Sequence, residues 1–429
     1  MNFRRKVSSI RKFNSTLVIL FILIMIVIMF TSRKRKSIPM LKSEFVRKTF
    51  MTLSNRKVDS FNCAKIYDND FRTSPELEKE AKKYPHPAQD LLKLSANCSR
   101  FITERGYFMN SMTIEEESFP IAYGIFFYNQ VTQMEQLLRA IYRPQNIYVI
   151  HLDQKAAIHD YHVVKSITEC FPNVFLSSKR FNIKWGDFSL VEADLVVMRD
   201  LLRFSSWRYY INLCGMDFPL KTNLQIIRFL RGLNGENIVD LDFRSWIHRW
   251  RRALKQKPVP HNITLAKGSH YVAVTRDFIN YTVNNQIAQE LINWLRNTTI
   301  PDESVYPTIF YNTHIGSPHP YNSSYSQIYK LAKHVVWQTE NKDKNICYGS
   351  YRRAVCVFGL QDLKRITLEK YLFANKFYRN LPYACLEEWH FNKTRDEYLN
   401  LVNNMPLQSN WWGWWKRIKE WDYRKQCND

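Results

Sequence analysis

An alternation of strand-like and helix-like apolar patterns between residues 119 and 241 constrains the fold more than any other feature of this chain. Residues 121–127 and 147–152 are short apolar runs typical of buried strands, and residues 131–142 between them carry apolar side chains at helical spacing. The pattern continues with a helix over 188–202, a strand over 209–213, a helix over 224–233 and a strand over 238–241. Such alternation predicts an α/β domain with a mostly parallel central sheet and helices on both faces.

Polar clusters follow three of the predicted strands. Tyr128-Asn129 follows the first strand, Asp153 follows the second, and Gly215-Met216-Asp217 follows the strand that begins at residue 209. In open parallel sheets, ligands bind beyond the carboxyl ends of the strands. We therefore expect a binding site at this edge of the sheet.

The composition excludes several classes of protein. The chain of 429 residues contains only 11 Gly, and neither G-x-G-x-x-G nor G-x-x-x-x-G-K-[ST] occurs, so a Gly-rich phosphate loop is not expected. The net charge of +23 favours anionic partners such as nucleotide diphosphates, acidic lipids or nucleic acid. The basic residues are spread along the chain, however, and no zinc-finger, zipper or RNA-binding pattern accompanies them. We therefore predict that the protein does not bind nucleic acid.

An apolar segment near the start of the chain predicts a membrane anchor. Residues 17–30 form an apolar run of 14 residues, and the segment reaches a workable span over 13–32. Small residues of a cleavage site are missing after it, which favours a retained signal anchor over a cleaved signal peptide. We predict a cytoplasmic tail over 1–12, the anchor over 13–32, a polar stem over 33–115 and one large domain over 116–429. Within the stem, Ser74 and Pro75 predict the start of a short helix.

The residues after the anchor fit the lumen of the secretory pathway. All eight cysteines lie there, as an oxidising compartment would explain. Basic residues flank both ends of the anchor and do not settle its orientation. Six N-glycosylation sequons also follow the anchor, at Asn97, Asn262, Asn280, Asn297, Asn322 and Asn392. Together these features predict a type II membrane protein whose large domain is lumenal.

Six sequence strings occur in one order along the chain: LLRAIYRPQNIYVIHLD (137–153), YINLCGMDFPLKTN (210–223), GEN (235–237), PDE (301–303), AVCVFG (354–359) and LFANKF (372–377). Together they resemble the core 2-type β-1,6-N-acetylglucosaminyltransferases, the family that branches mucin-type and I-antigen glycans. The resemblance covers residues 119–388. It implies a GT-A-like glycosyltransferase fold and an inverting, metal-independent transfer of N-acetylglucosamine from UDP-N-acetylglucosamine to an O-glycan, without a cofactor, at the Golgi membrane.

The resemblance also assigns roles to individual residues. Glu303 matches the family's catalytic base, which deprotonates the acceptor hydroxyl. Arg353 and Lys376 match two basic residues that neutralise the departing UDP diphosphate in place of a metal ion. Asp153 matches a residue near the uridine, and Trp185 falls where the family has an aromatic side chain against the nucleotide.

On the acceptor side, Asp240, Arg249 and Trp337 align with positions that contact the acceptor glycan. Trp246 stands where relatives have a basic residue, and Thr339 stands where they have an aromatic one. These departures put the identity of the acceptor in question.

The nucleotide side departs as well. Relatives have a pair of histidines after the first strand, where this chain has Tyr128, which we assign to the UDP-sugar site, and Asn129. The donor is therefore in question too. The departures on both sides leave a second hypothesis open, namely an inactive or glycan-binding Golgi homologue of the same fold. The retained Glu303, Arg353 and Lys376 oppose it.

The cysteines fit the same family. The resemblance implies the disulfides Cys63–Cys385, Cys98–Cys170 and Cys347–Cys356, and a free buried thiol at Cys214. Both partners of a fourth family disulfide are replaced, by Tyr148 and Val197. Cys427 has no counterpart and is a candidate for a disulfide between two chains.

A metal-dependent glycosyltransferase is the remaining alternative from the sequence. Two D-x-D triplets occur, at 68–70 in the predicted stem and at 240–242 at the end of a predicted strand. Three-residue matches are weak, but the second triplet lies where a metal site of this kind would be. Loss of activity in EDTA would favour this alternative.

Overall fold

The computed structural model describes residues 46–50, 53, 56–68, 71–84, 90–242, 258–338 and 347–403. These residues divide into two compact units, one within 53–397 and a smaller one that combines 46–50 with 398–403. In the smaller unit, the ring of Phe50 stacks on that of Tyr398 with centroids 6.1 Å apart. Across the described ranges, none of the helices is long and apolar enough to cross a membrane, and the predicted anchor lies outside these ranges.

The larger unit alternates strands and helices along the chain. The strands are β1 (Ile121–Phe127), β2 (Ile147–Leu152), β3 (Val174–Leu176), β4 (Tyr209–Cys214), β5 (Asp217–Pro219), β6 (Ile238–Val239), β7 (Val272–Thr275), β8 (Lys333–Val335), β9 (Ser350–Arg352), β10 (Val355–Val357) and β11 (Phe373–Asn375). The helices are α1 (Pro75–Lys82), α2 (Leu91–Ser95), α3 (Cys98–Arg105), α4 (Ile114–Glu117), α5 (Val131–Ile141), α6 (Ile158–Glu169), α7 (Ser189–Leu202), α8 (Asn223–Gly232), α9 (Arg276–Asn284), α10 (Gln286–Leu295), α11 (Val305–Tyr311), α12 (Leu360–Leu368) and α13 (Leu381–Asn403).

A six-stranded sheet in the order β3-β2-β1-β4-β7-β6 forms the centre of this unit. β1 pairs in parallel with both β2 and β4, and β2 pairs in parallel with β3. β7 runs antiparallel to β4 and to β6. The predicted mixed α/β fold with a mostly parallel central sheet is therefore confirmed. The carboxyl ends of β1, β2 and β4 lie side by side, as the positions of the polar clusters require.

Helices cover both faces of the sheet because successive side chains of a strand point to opposite faces. On one face Tyr123 and Tyr148 pack with the apolar sides of α5, α6 and α8. On the other face Ala122 and Val149 pack with α7, α9, α10 and α11. β1 and β2 are buried on both faces, which explains why they read in the sequence as continuous apolar runs.

A second, three-stranded sheet in the order β5-β11-β8 continues from the central one through β4. Only two residues separate the end of β4 from the start of β5, and the carboxylate of Asp217, the first residue of β5, is fully buried. That carboxylate accepts hydrogen bonds from the Cys214 backbone N–H at 2.7 Å and from Asn375 Nδ2 at 2.8 Å. It also forms an ion pair with the buried ammonium of Lys333 on β8. One carboxylate therefore connects β4, β5, β8 and β11.

Residues from the predicted stem pack against the large domain. Leu91 and Phe101 belong to the same apolar core as β1 and β2. The guanidinium of Arg105 forms a buried ion pair with Glu135 on α5. Ser74 caps α1 as predicted, because its hydroxyl accepts a hydrogen bond from the Leu77 N–H at 3.1 Å. The boundary between stem and domain at residue 116 stays a prediction.

The structure describes the six cysteines that are predicted to form disulfides and all six sequon asparagines. The six cysteines form the pairs that the resemblance implies, Cys63–Cys385, Cys98–Cys170 and Cys347–Cys356. Cys214 carries a free thiol. Five sequon asparagines are exposed, and the sixth is half-buried within α13; the exposed ones are Asn97, Asn262, Asn280, Asn297 and Asn322, and the half-buried one is Asn392. Cys427 lies outside the described residues.

Replacing Asp217 by alanine should destabilise the fold by about 3–5 kcal/mol, because it leaves the Lys333 ammonium buried without its carboxylate. Chemical unfolding of the purified full chain measures the effect. The matched control is Asp396→Ala, which removes a carboxylate that is 58% exposed and paired with Arg395 at the surface. We expect the control to change stability by less than about 0.5 kcal/mol. Equal effects of the two substitutions would contradict the role of Asp217.

Candidate active site

The site begins at the carboxyl end of β2, where Asp153 is held rigidly. Its side chain is 4% exposed and accepts hydrogen bonds from the backbone N–H groups of Lys155 at 2.8 Å and Ile183 at 3.2 Å. The Lys155 ammonium lies 3.4 Å from the same carboxylate and 6.0 Å from the centre of the Tyr128 ring. Tyr128, at the end of β1, is 51% exposed. The structure thus brings Asp153 and Tyr128 together, one buried and one open to a ligand.

A loop over residues 182–187 connects Asp153 to the turn that carries Glu303. At its start, Ile183 donates to Asp153. Near its end, the carbonyl of Gly186 accepts a hydrogen bond from the Ile300 N–H at 2.9 Å. Gly186 has φ +73°, a conformation that glycine adopts without strain. Trp185 lies between these two contacts and is 81% exposed, so its ring is available to stack on a planar ligand.

Glu303 closes a single turn of 3-10 helix over Pro301–Glu303. Its backbone carbonyl accepts a hydrogen bond from the Gly268 N–H at 3.0 Å. Its carboxylate lies 3.5 Å from the Lys267 ammonium, and a quarter of the side chain is exposed. The carboxylate is therefore fixed by its surroundings yet accessible to a substrate hydroxyl, as a general base must be.

Arg353 occupies the tip of the hairpin formed by β9 and β10. Arg353 and Ala354 have φ of 52° and 61°, so both central residues of this two-residue turn are left-handed, as a type I′ turn requires. The disulfide Cys347–Cys356 ties the chain before β9 to the middle of β10. The guanidinium of Arg353 is exposed, while its backbone is held by this turn.

Lys376 follows β11 and lies beside the same hairpin. Its ammonium donates to the carbonyl of Arg352 at 3.4 Å, and the residue is 9% exposed. Burial lowers the pKa of Lys376, the neighbouring Cys214 and Asp217 oppose this shift, and the Arg353 and Arg352 cations add to it. The structure therefore concentrates positive charge at this point, a suitable environment for an anionic ligand.

The predicted acceptor residues lie on both sides of the site. Asp240 follows β6, and its backbone carbonyl approaches Gly268 so closely that a Cβ there would lie 1.7 Å from it. Asp240 is therefore next to Gly268, whose backbone N–H donates a hydrogen bond to Glu303. Trp337 pairs with Val355 of β10 and is 39% exposed, beside the Arg353 hairpin. Arg249, the third predicted acceptor residue, and the departures at Trp246 and Thr339 lie outside the described residues.

Two groups of residues contain thiol or carboxylate side chains of the kinds that bind metal ions. Cys347, Cys356 and Asp362 come close together in the described part of the chain, but the two sulfur atoms are joined in a disulfide and cannot serve as thiolate ligands. The 240–242 triplet supplies two carboxylates, and each is next to a lysine. Lys330 Nζ lies 4.0 Å from Asp240, and Lys267 Nζ lies 3.8 Å from Asp242.

Sequence reasoning missed several residues that shape the site. Lys267, which lies between Asp242 and Glu303, stands in no recognisable motif, and only its place in the fold reveals its contacts. Lys333 and Asn375, which hold Asp217, lie on strands of three residues that are too short for a periodic signal.

Burial raises the pKa of the Cys214 thiol to about 12, with the Asp217 carboxylate adding to the shift. Cys214 is therefore a neutral packing residue next to Lys376.

Comparison with known proteins identifies the family. Residues 121–367 match the sequence model of the Core-2/I-Branching enzyme family. The chain belongs to this family. Of the relatives, the rat β-1,3-galactosyl-O-glycosyl-glycoprotein β-1,6-N-acetylglucosaminyltransferase 3 is 33% identical over 79% of this chain and 85% of its own.

Two human relatives are similar to the same degree. A human β-1,3-galactosyl-O-glycosyl-glycoprotein β-1,6-N-acetylglucosaminyltransferase is 35% identical over 78% of this chain and 86% of its own. A human N-acetyllactosaminide β-1,6-N-acetylglucosaminyl-transferase is 32% identical over 76% of this chain and 85% of its own. Among solved structures, a mannosyltransferase from S. cerevisiae aligns with 10% identity over 55% of this chain and 82% of its own, at a TM-score of 0.25.

Proposed function

We propose that this protein is an inverting glycosyltransferase of GT-A-like fold. In this proposal it transfers N-acetylglucosamine from UDP-N-acetylglucosamine to a 6-hydroxyl of a glycan containing galactose or N-acetylgalactosamine, and forms a β-1,6 branch. The observation that carries it is the composition of the site: one partly exposed carboxylate, Glu303, and two adjacent cations, Arg353 and Lys376. The names of the relatives, which are β-1,6-N-acetylglucosaminyltransferases, support the donor and the linkage.

The two cations account for departure of the nucleotide. When the bond from the sugar to UDP breaks, negative charge grows on the diphosphate, and fixed cations stabilise it without reorganisation. Arg353 offers a planar, permanently charged fork, and Lys376 offers a point charge. Because both are held against one hairpin, the diphosphate has a preformed binding place. Asp153, Trp185 and Tyr128 then form the nucleotide side, with Trp185 and Tyr128 supplying exposed rings.

Metal-independent transfer is part of the proposal. The carboxylates of the 240–242 triplet face lysine ammonium groups, and a divalent cation would have to displace or repel those charges. The cationic hairpin supplies the charge that a metal supplies in other glycosyltransferases. On the acceptor side, Asp240 can accept hydrogen bonds from sugar hydroxyls, and Trp337 can pack against a sugar face.

In an inverting reaction, Glu303 removes the proton of the acceptor 6-hydroxyl as the oxygen attacks the anomeric carbon. Glu303→Gln should therefore lower turnover at least about a hundredfold. The matched control, Glu290→Gln, makes the same chemical change on the exposed surface of α10 and should leave turnover unchanged. Release of UDP coupled to transfer measures both. Near-normal turnover in Glu303→Gln would refute the assignment of the base.

Arg353→Ala and Lys376→Ala should each weaken the binding of UDP about tenfold to a hundredfold, because each removes a charge-assisted contact to the diphosphate. Isothermal titration with UDP measures the affinity. Lys93→Ala, which removes an exposed lysine on α2, serves as the control and should bind UDP normally. If all three variants bind UDP alike, the diphosphate does not bind at this hairpin.

The proposed setting is the Golgi membrane, with a single span near residues 13–32 and the large domain in the lumen. Five exposed sequon asparagines and three disulfides among the described residues are compatible with that compartment. Peptide N-glycosidase should increase the electrophoretic mobility of the protein from cells, and an unchanged band would contradict a lumenal domain.

The same gel without reductant tests Cys427, since a dimer band that disappears in Cys427→Ser would establish the disulfide between chains.

A further inference from the structure

The proposed base is one end of a three-residue array formed by Asp242, Lys267 and Glu303. The Lys267 ammonium lies 3.5 Å from Glu303 Oε2 and 3.8 Å from Asp242 Oδ2. The three side chains are similarly shielded, with 28% of Asp242, 21% of Lys267 and 25% of Glu303 exposed. The lysine therefore interacts with two carboxylates of similar accessibility, and one of them is the proposed base.

The backbone fixes the three members relative to one another. The Asp242 N–H donates to the carbonyl of Lys267 at 2.8 Å, and the next residue, Gly268, donates to the carbonyl of Glu303 at 3.0 Å. Gly268 packs so closely on the Asp240 carbonyl that no larger residue fits without moving the backbone. Two consecutive residues thus join the chain after β6 to the turn of Glu303. The proximity of the charges follows from this main-chain pairing and not from the freedom of a long side chain.

We propose that Lys267 is a positioning residue for Glu303, and that Asp242 competes for the Lys267 ammonium and so limits the strength of the ion pair between Lys267 and Glu303. This inference rests on the proposed function. In the transfer, the acceptor hydroxyl proton passes to Glu303, the hydroxyl oxygen forms a bond to the anomeric carbon, and the electron pair of the sugar–phosphate bond leaves with UDP. Glu303 loses its negative charge in this step. Lys267 keeps Asp242 as its ionic partner, so the ammonium is compensated before and after transfer.

Lys267 and Asp242 should affect the transfer reaction in opposite directions. Lys267 holds the Glu303 carboxylate in place beside the acceptor hydroxyl, so removal of Lys267 should lower kcat. Asp242 competes for the same ammonium. Removal of Asp242 should therefore strengthen the contact between Lys267 and Glu303 and leave kcat at the wild-type value or above it.

Other ionisable groups surround the array from each packed segment. Lys330 faces Asp240 on the acceptor side, and Asp302 shares the turn of Glu303. Behind the turn, burial raises the pKa of Asp194 on α7 to about 6, although hydrogen bonds from Tyr210 and Tyr306 oppose the shift. Burial also lowers the pKa of His270 to about 3, so its ring is neutral. These groups are the same in every variant below, and the comparison between variants isolates Lys267 and Asp242.

The test is the division of the effect between kcat and KM in the full-length protein, with UDP-N-acetylglucosamine and a β-1,3-galactosyl-N-acetylgalactosamine glycoside as acceptor. Lys267→Met should lower kcat about tenfold and leave KM nearly unchanged, because it misplaces the base without removing a substrate contact. Asp242→Asn should keep at least the wild-type kcat. Lys267→Arg should restore most of kcat, and the control Lys93→Met, on the exposed surface of α2, should leave kcat unchanged. A wild-type kcat in Lys267→Met, or a fall in Asp242→Asn as large as in Lys267→Met, would overturn the proposal.

A thermal-unfolding cycle separates failure of this inference from failure of the proposed function. If the wild type transfers sugar to none of the core 1, core 3 and poly-N-acetyllactosamine acceptors, the proposed function fails, and the array is tested by the midpoints of thermal unfolding of Lys267→Met, Glu303→Gln and the double variant. The array predicts that the two single shifts do not add, because each removes the same ion pair. Additive shifts would show that Lys267 and Glu303 do not interact.

Discussion

The buried carboxylate of Asp217 is the interaction on which the arrangement of the site depends. A carboxylate without solvent is costly unless it is paired and fully hydrogen-bonded, and Asp217 meets this condition by using donors from three different strands. Those donors fix the turn after β4, bring β11 beside β5 and anchor β8. Lys376 follows β11 directly, and the backbone of Phe377 donates to Met216 in the same turn at 3.0 Å. The position of Lys376, the cation that we propose for the diphosphate, therefore depends on the hydrogen bonds and the ion pair that Asp217 accepts.

The second half of the site depends on the main chain more than on side chains. The loop over 182–187 contacts Asp153 at one end and the turn of Glu303 at the other. Gly268 connects that turn to the chain after β6. Lys376 thus follows a strand of the three-stranded sheet, Arg353 lies on the separate hairpin of β9 and β10, and Asp153 and Glu303 are held by loops beside the central sheet. Since β4 joins the two sheets, a nucleotide diphosphate and an acceptor hydroxyl can be positioned on one rigid framework.

The sequence predicts β1, β2 and β4 of the central sheet well, but it misses β3 and β7 and the small elements. β1 and β2 have the predicted bounds because strands buried on both faces give continuous apolar runs. The predicted strand over 238–241 is shorter in the structure, since β6 ends at Val239 and Asp242 pairs instead with Lys267. Strands of three residues, such as β5 and β11, give no periodic signal.

Among the residues of the candidate site, Asp153 can be predicted from the position of its strand. Glu303, Arg353 and Lys376 follow only from the family strings, because isolated charged residues in turns carry no pattern. Neither the strand pattern nor the family strings predict the role of Lys267.

The measurement that tests the central claim most directly is transfer of labelled N-acetylglucosamine from its UDP donor by the purified full-length protein in the presence of EDTA. The acceptors are core 1, core 3 and poly-N-acetyllactosamine glycosides, and the linkage of the product is determined. We predict transfer to at least one acceptor through a new β-1,6 bond, undiminished by EDTA. Transfer that EDTA abolishes and manganese restores, or a product with another linkage, would contradict the account. So would a protein that binds UDP-N-acetylglucosamine and transfers its sugar to none of these acceptors.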